Sequence, residues 1–466
     1  MAVLLVIGGG VWFAGSGGER KEPAAKPQGV KPSGSASAGQ GAGSDGSGPE
    51  GDLNAGRRPG EARVKWLLKN DVDLPGRGAE VFGPWVVGDT VVVGVYEAVS
   101  GYSAVDGKRR WTLPIPTGLC AAPAVPAENG TVVVGVYKRG DRDKCTALQQ
   151  IDLRSGEAGW KRPLPKEGNS PLPSDITLTI SGTTVTAAGS HQSFAFSLAD
   201  GKHLWGRRAQ GSCQPEAFAG GRRLIAAARC PTSDPNQEQN EVSEIDPATG
   251  KLKWAYRLAP DWYVEKVYSV SPLVFSAYQR GDGGAKKWGV FALTDAGKLR
   301  SRIQVGDDKY EPTCASRVRP LAPNLEDCTG GVAADTNTLY MGTDSTASGT
   351  ANAVVAFDLD TGKPKWRAPA PTGRTMVPLR VENGNVLLYM AASTDTGGAV
   401  ATLAPTGGTP KVLLQHPAST AQIESTFWKA RYIYANDAFY LANSSLSTGL
   451  TDAEEKKKKI VMVFGK

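Results

Sequence analysis

Beyond Gly60 the chain alternates short apolar, β-branched runs with polar turns, and the alternation repeats. Val91 to Val95, Thr131 to Tyr137 and Asn385 to Met390 are strand-like runs, and there is almost no helical periodicity to compete with them. A turn-and-tryptophan element recurs between runs as Asp106-Gly-Lys-Arg-Arg-Trp111, Asp152-Leu-Arg-Ser-Gly-Glu-Ala-Gly-Trp160, Asp200-Gly-Lys-His-Leu-Trp205, Asp246-Pro-Ala-Thr-Gly-Lys-Leu-Lys-Trp254 and Asp358-Leu-Asp-Thr-Gly-Lys-Pro-Lys-Trp366. In each, Trp follows Gly by four residues. A degenerate copy puts Ser301 at the Trp place, and a weaker one, Thr406 to Val412, puts Val412 there. From Trp111 the positions advance by 49, 45, 49, 47, 65 and 46 residues, the period of four-stranded blades.

The chemistry of the element suits a hairpin between outer strands. Asp folds its carboxylate onto nearby backbone N–H groups, Gly supplies a positive φ, and Trp packs between neighbouring blades while its indole N–H finds a partner. A second series of short turns, expected between the two inner strands of each blade, has eight members: Gly88-Asp89, Asn129-Gly130, Ser181-Gly182, Gly220-Gly221, Ser271-Pro272, Thr336-Asn337, Asn383-Gly384 and Asn436-Asp437. After the last turn come Ala438 to Ala442 and Ile460 to Phe464, a third strand with no fourth behind it. Arg63-Val-Lys-Trp66 reads like Lys251-Leu-Lys-Trp254, so the N-terminal strand is expected to complete the last blade. The fold class that follows is all-β: an eight-bladed β-propeller closed by its N-terminal strand, with Trp66 joining Trp111, Trp160, Trp205, Trp254 and Trp366 between blades.

Residues 1–14 are almost wholly apolar, too short to span a bilayer alone, and read as part of a membrane anchor or as an atypical signal peptide. Residues 15–60 are Gly, Ser, Ala, Pro and Lys with scarcely a large apolar side chain, the composition of a disordered stalk, and the propeller occupies 61–466. Arg20, Lys21, Lys26 and Lys31 follow the apolar run, a flank that ordinarily stays in the cytoplasm, so orientation has to be decided elsewhere.

The 57 Gly, 31 Pro and 11 Trp agree with many strands and tight turns. A net charge of +7 allows a polyanion partner, but charges of both signs are mixed along the chain and no basic stripe appears, so nucleic acid is not an expected partner. The dense run Lys456 to Lys459 is expected in a solvated hairpin loop.

From Arg63 to Lys466 the chain resembles the pyrroloquinoline-quinone-type (PQQ-like) repeat family, whose mark is an Asp-x-x-Thr-Gly turn followed by Trp. That resemblance implies the propeller. It leaves activity open, because the family holds quinoprotein dehydrogenases, the outer-membrane assembly lipoprotein and extracellular sensor domains of bacterial kinases. The dehydrogenases imply a quinone stacked in the central channel, calcium ligands, a catalytic Asp and, in many members, adjacent cysteines. This chain has no Cys-Cys pair and no Asp assignable to that role.

Cys120 and Cys213 each precede an inner strand, Cys145 and Cys230 each follow its hairpin partner, Cys328 takes the same pre-strand place in the sixth blade, and Cys314 lies in the long insertion just before it. Local pairing is expected: Cys120 with Cys145, Cys213 with Cys230, Cys314 with Cys328. Disulfides imply an oxidising compartment and put the propeller outside the membrane, anchored or secreted; free buried thiols in a cytoplasmic protein are the alternative. All six lie on the face that carries the connections between blades and between second and third strands, where the longer loops also gather. Binding is expected there. Its candidates are Trp262, Tyr263, Tyr310 and Trp428, with Arg280, Asp282 and His191 as polar ones. The three histidines are widely separated, so neither a His-based metal site nor a Ser-His-Asp triad is indicated.

The function expected is non-catalytic: a monomeric propeller in the bacterial cell envelope that binds or scaffolds an envelope protein or glycan. No cofactor is expected. A PQQ- and calcium-dependent dehydrogenase and a carbohydrate-binding or carbohydrate-cleaving propeller are the alternatives.

Overall fold

The computed structural model describes residues 47–48 and 51–466 apart from 166–175, 190–191, 209–212, 235–236, 281–285, 307–308, 311, 315–323, 345–350 and 428. The apolar segment 1–14 and the stalk up to residue 46 lie outside the described residues. Eight antiparallel four-stranded sheets form the blades of a propeller. Blades 1 to 7 take their strands in chain order within 79–114, 119–163, 177–208, 214–257, 262–302, 332–369 and 376–415. Second strands such as Thr90–Val95 and Thr184–Gly189 are buried along their whole length, because each blade lies between two others. Fourth strands such as Arg109–Pro114 and Leu252–Arg257 alternate exposed residues with half-buried ones, as the outer edge requires.

Blade 8 closes the ring as expected. It pairs Arg431–Ala435, Ala438–Ala442 and Lys459–Gly465 with the N-terminal strand Arg63–Lys69, in which Trp66 stands opposite Val463. Order begins earlier than Gly60. Leu53 is buried against the last two blades, Asn54 exchanges two hydrogen bonds with the Val64 backbone, and Ser419 Oγ donates to the Leu53 carbonyl at 2.8 Å. A single leucine in a polar stretch is what the stalk reading passed over.

In blades 1 to 5 and 7 the turn glycine lies flat against the tryptophan of the blade before it. At Gly107 (φ +69°) a Cβ would stand 2.6 Å from the Trp66 ring, and Gly156, Gly201, Gly250, Gly297 and Gly407 meet Trp111, Trp160, Trp205, Trp254 and Trp366 in the same way. The indole N–H then reaches a carbonyl just ahead of that turn: Trp66 to Ala104 at 3.2 Å, Trp160 to Leu198 at 3.0 Å, Trp205 to Pro247 and Trp366 to Pro405 at 2.8 Å. Where Ser301 replaces Trp, its hydroxyl donates to the equivalent Leu359 carbonyl at 2.7 Å. Trp254 instead donates to Glu244 at 3.1 Å, and the Trp111 N–H has no partner among the described residues. Val412 is 45% exposed: blade 8 pairs Lys459–Gly465 with Arg63–Lys69, strands that no hairpin turn joins, so no turn glycine is there for a ring to cover.

Seven of the eight inner turns fall where the sequence puts them. At Asn383-Gly384 and Asn436-Asp437 both residues are left-handed, as a two-residue hairpin needs. The exception is Ser181, which pairs with Thr184 and moves the turn to Gly182-Thr183. On the opposite, loop-bearing face, Ser445–Leu446 leaves blade 8 to add a fifth strand to blade 1. The lysine run is less uniform than expected: Lys456 and Lys457 are exposed after the short helix Asp452–Glu455, whereas Lys459 opens the third strand.

Candidate binding site at the channel mouth

All three expected disulfides are present. Cys213–Cys230 ties the two ends of an inner hairpin, and Cys314–Cys328 ties a two-stranded hairpin, Thr313–Cys314 with Cys328–Gly330, inserted between blades 5 and 6. Cys120–Cys145 is less local, since Cys145 belongs to the third strand and the bridge passes over the second at Gly135. A Cβ on Gly135 would lie 2.9 Å from both sulfurs, so only glycine leaves room for the crossing. Three bridges and no free thiol belong to an oxidising compartment. No helix among the described residues is long and apolar enough to cross a membrane.

The insertion that lengthens the repeat spacing to 65 residues does more than decorate a face. Its returning arm enters the axial channel. The Leu325 carbonyl accepts from Val267 N at 2.9 Å on the inner strand of blade 5, and the Leu325 side chain is 1% exposed. Glu326 accepts from the Thr179 hydroxyl of blade 3 at 2.7 Å and from the Gly220 N–H of blade 4. Lys266 Nζ holds the Asp327 carboxylate and, at 2.8 Å, the Asn324 carbonyl. Further on, Thr329 Oγ1 donates to Ala430 at the start of blade 8 and Gly331 N to Pro378 of blade 7. A segment bonded to the inner edges of blades 3, 4, 5, 7 and 8 has to cross the axis, and 324–331 is that plug.

Glu326 is half-buried by surface area, yet protein atoms surround its carboxyl deep in the channel. That desolvation outweighs its two hydrogen bonds and pushes the carboxyl up to about 7.

Beside the plug a cleft of about 1010 Å³ remains, bounded by blades 5 to 8. Tyr268, Trp288, Tyr310 and Tyr432 give it aromatic walls, and Glu265, Lys309, Asp344 and Lys429 bring both signs of charge. Trp288 donates to Glu265 at 3.0 Å, Tyr310 stands edge-on to Phe357 at 5.8 Å, and Tyr432 stacks on Tyr389 at 5.0 Å. Burial pushes the Tyr432 phenol up to about 12, so it stays a neutral hydrogen-bonding group at any physiological pH. Lys429 has a left-handed backbone (φ 50°), a conformation costly for a non-glycine residue and more frequent at binding sites than elsewhere.

The expected face residues fare unequally. Tyr310 lines the cleft. Trp262, expected at the surface, is a core residue instead: 8% exposed, edge-on to Phe291 at 5.6 Å and covered by the Arg302 guanidinium. Tyr263 stacks on Tyr278 at 5.3 Å within blade 5. Arg280 ends the second strand of that blade, and nothing is described of its side chain. His191, Asp282 and Trp428 lie outside the described residues. The plug residues and Tyr432 escaped sequence reasoning. The one trace of the plug was Leu325 followed by two acids and a cysteine in an otherwise irregular insertion.

Two further clusters are structural. His416, fully buried, bonds Glu424 at 2.7 Å and stacks on Phe464 at 3.7 Å, and Glu424 also accepts from Thr420, Tyr389 and the Gly398 N–H. Burial works to raise the Glu424 carboxyl, but His416 and these donors hold it below its ordinary value. Among the described residues, the groups close enough to share a metal ion are Cys213, Cys230 and Glu241, and Cys314, Asp327 and Cys328. Both rely on sulfurs that are oxidised to disulfides and have no thiolate to give.

Residues 58–217, from the closing strand into blade 4, match the family described as outer membrane protein assembly factor BamB, built of PQQ-type repeats. That match covers 160 of the 466 residues, and over it the chain is similar to PQQ-type propeller repeats. No curated protein matches its sequence significantly. Among solved structures, the chain is similar to BamB from Moraxella catarrhalis, with 15% identity, 87% of this chain and 100% of that chain covered and a TM-score of 0.44. Quinohemoprotein alcohol dehydrogenases from Pseudomonas putida HK5 and Comamonas testosteroni are similar at 13% identity each, with 87% of this chain covered, 76% and 77% of theirs, and TM-scores of 0.49 and 0.48. Likeness at these identities says nothing about activity.

Proposed function

We propose that this PQQ-like propeller is a non-catalytic binding or scaffolding protein of the bacterial cell envelope, working at the outer face of the membrane. The observation that carries the reading is the plug. In the family's dehydrogenases the axial channel is where a quinone would stack, and here Leu325 and Glu326 take up that space with bonds to blades 3, 4 and 5. The residues around the axis therefore do not fit the quinone. What is left at the mouth is an aromatic-walled, mixed-charge cleft of the size small-molecule and peptide sites have. It sits on a rigid, disulfide-tied rim, the arrangement that favours recognition by lowering the entropy of binding. The membrane anchor fits the same reading, since a flexible stalk lets a rigid binding head search the envelope.

The test uses immobilised full-chain protein challenged with solubilised envelope proteins and, separately, envelope polysaccharide fragments. Tyr310→Ala with Lys309→Glu should abolish retention of one of these classes, while Val105→Ser on the tight-turn face should not. Retention unaffected by the first pair, or lost equally with the second change, would remove the cleft from consideration.

A further inference from the structure

We infer that Cys314–Cys328 is a redox latch on the axial plug, so that reducing this one bridge releases 324–331 from the channel while the blades stay folded. Three features point to it. Accessibility is the first: Cys314 lines the open cleft and both cysteines of this bridge are partly exposed, whereas Cys120–Cys145 is buried at both ends and Cys213–Cys230 is partly exposed at Cys213 only. A dithiol entering the cleft meets this bridge before the other two, and access governs the rate of exchange.

Economy of support is the second. The hairpin that carries the plug consists of only Thr313–Cys314 and Cys328–Gly330, with Cys314 directly opposite Cys328. Without the covalent tie little ladder remains to hold it, whereas Cys120, Cys145 and Cys230 lie in blade strands and Cys213 immediately precedes one. The third is coupling. The Asp327 carboxylate lies within 4.8 Å of both sulfurs and is the partner of Lys266, one of the plug's two anchors on blade 5. Opening the bridge places two thiols beside that carboxylate, and any thiolate formed there repels Asp327 and competes for Lys266.

The step balances without a bound cofactor. An external dithiol attacks one sulfur, its second thiol displaces the mixed disulfide, and two electrons and two protons pass to Cys314 and Cys328 as the reductant closes to a cyclic disulfide. The consequence is a channel opened by reduction, with Leu325 and the carboxyl of Glu326 exposed at the mouth.

The experiment is limited reduction of full-chain protein by dithiothreitol under native conditions, followed by differential alkylation and hydrogen-exchange mass spectrometry on the same samples. Cys314 and Cys328 should be alkylated ahead of the other four cysteines. Peptides covering 324–331 should lose protection at that stage while second-strand peptides of blades 1 to 4 keep theirs. The double variant Cys314→Ser with Cys328→Ser should show the same local loss without reductant. Earlier reduction of either other bridge would overturn the inference. So would continued protection of 324–331 once Cys314–Cys328 is open, or a loss that spreads to the blades at the same moment.

Discussion

Trp66 shows most compactly how one residue sets the geometry of the ring. It is 2% exposed, covers Gly107 of blade 1 and donates its indole N–H to Ala104, so it joins the last blade to the first. Trp66→Ala should lower unfolding free energy by about 3 to 5 kcal/mol, since a large aromatic is lost and the cavity cannot collapse against a glycine turn. Urea unfolding followed by fluorescence measures this; a loss no larger than that of an exposed Trp would mean the junction is not formed. The repeat of such residues was legible in the sequence because Asp, Gly and Trp have no common substitute in that turn. Two departures were legible only in the structure. Ser301 keeps the hydrogen bond and gives up the ring, and Val412 belongs to the junction with blade 8, whose third and fourth strands no hairpin turn joins.

At the level of elements, the plug and the closing strand are the parts whose behaviour can be changed without touching the rest. Glu326 has a folded-state carboxyl near 7, above its ordinary 4.5, so its contribution is fully present below about 4.5 and is lost as pH rises through 7. The protection of 324–331, with the intrinsic pH dependence of amide exchange divided out, should therefore fall as pH rises between those limits, while Glu326→Gln, which stays neutral, should flatten that fall. A pH-independent plug in the native protein would contradict the placement of Glu326. The N-terminal segment gives a second expectation. Deleting residues 1–50 should leave a soluble propeller of unchanged melting temperature; deletion through Gly60 should lower it by removing buried Leu53; and deletion through Asn70 should open an unpaired edge and cause aggregation. Equal stability of all three products would show that the strand is not part of the ring. The strands themselves were readable from short β-branched runs. The plug was not, because a segment that folds into a channel has neither period nor turn signal, and its partners Thr179, Gly220 and Lys266 lie between 58 and 147 residues away in sequence. For the same reason Trp262 looked like a surface aromatic: nothing local announces that Arg302 and Phe291 cover it.

For the molecule as a whole, the eight blades make a rigid ring, three bridges stiffen its loop-bearing face, and the axis is filled by the chain itself. Fold and disulfide pairing could be read from repetition and position, whereas the candidate site could be read only as a face, since the cleft is assembled from four blades and an insertion. A filled axis separates a binding propeller from a quinoprotein by what the channel can accept. The decisive measurement is thermal melting of the full chain titrated with pyrroloquinoline quinone in the presence of calcium. A quinone held at 100 times its Kd would add about 2.7 kcal/mol of stability and raise the melting temperature. With Leu325 and Glu326 across the axis, the expected result is an unchanged melting temperature at every quinone concentration; a saturable rise, enlarged when Leu325→Ala makes room, would contradict the account.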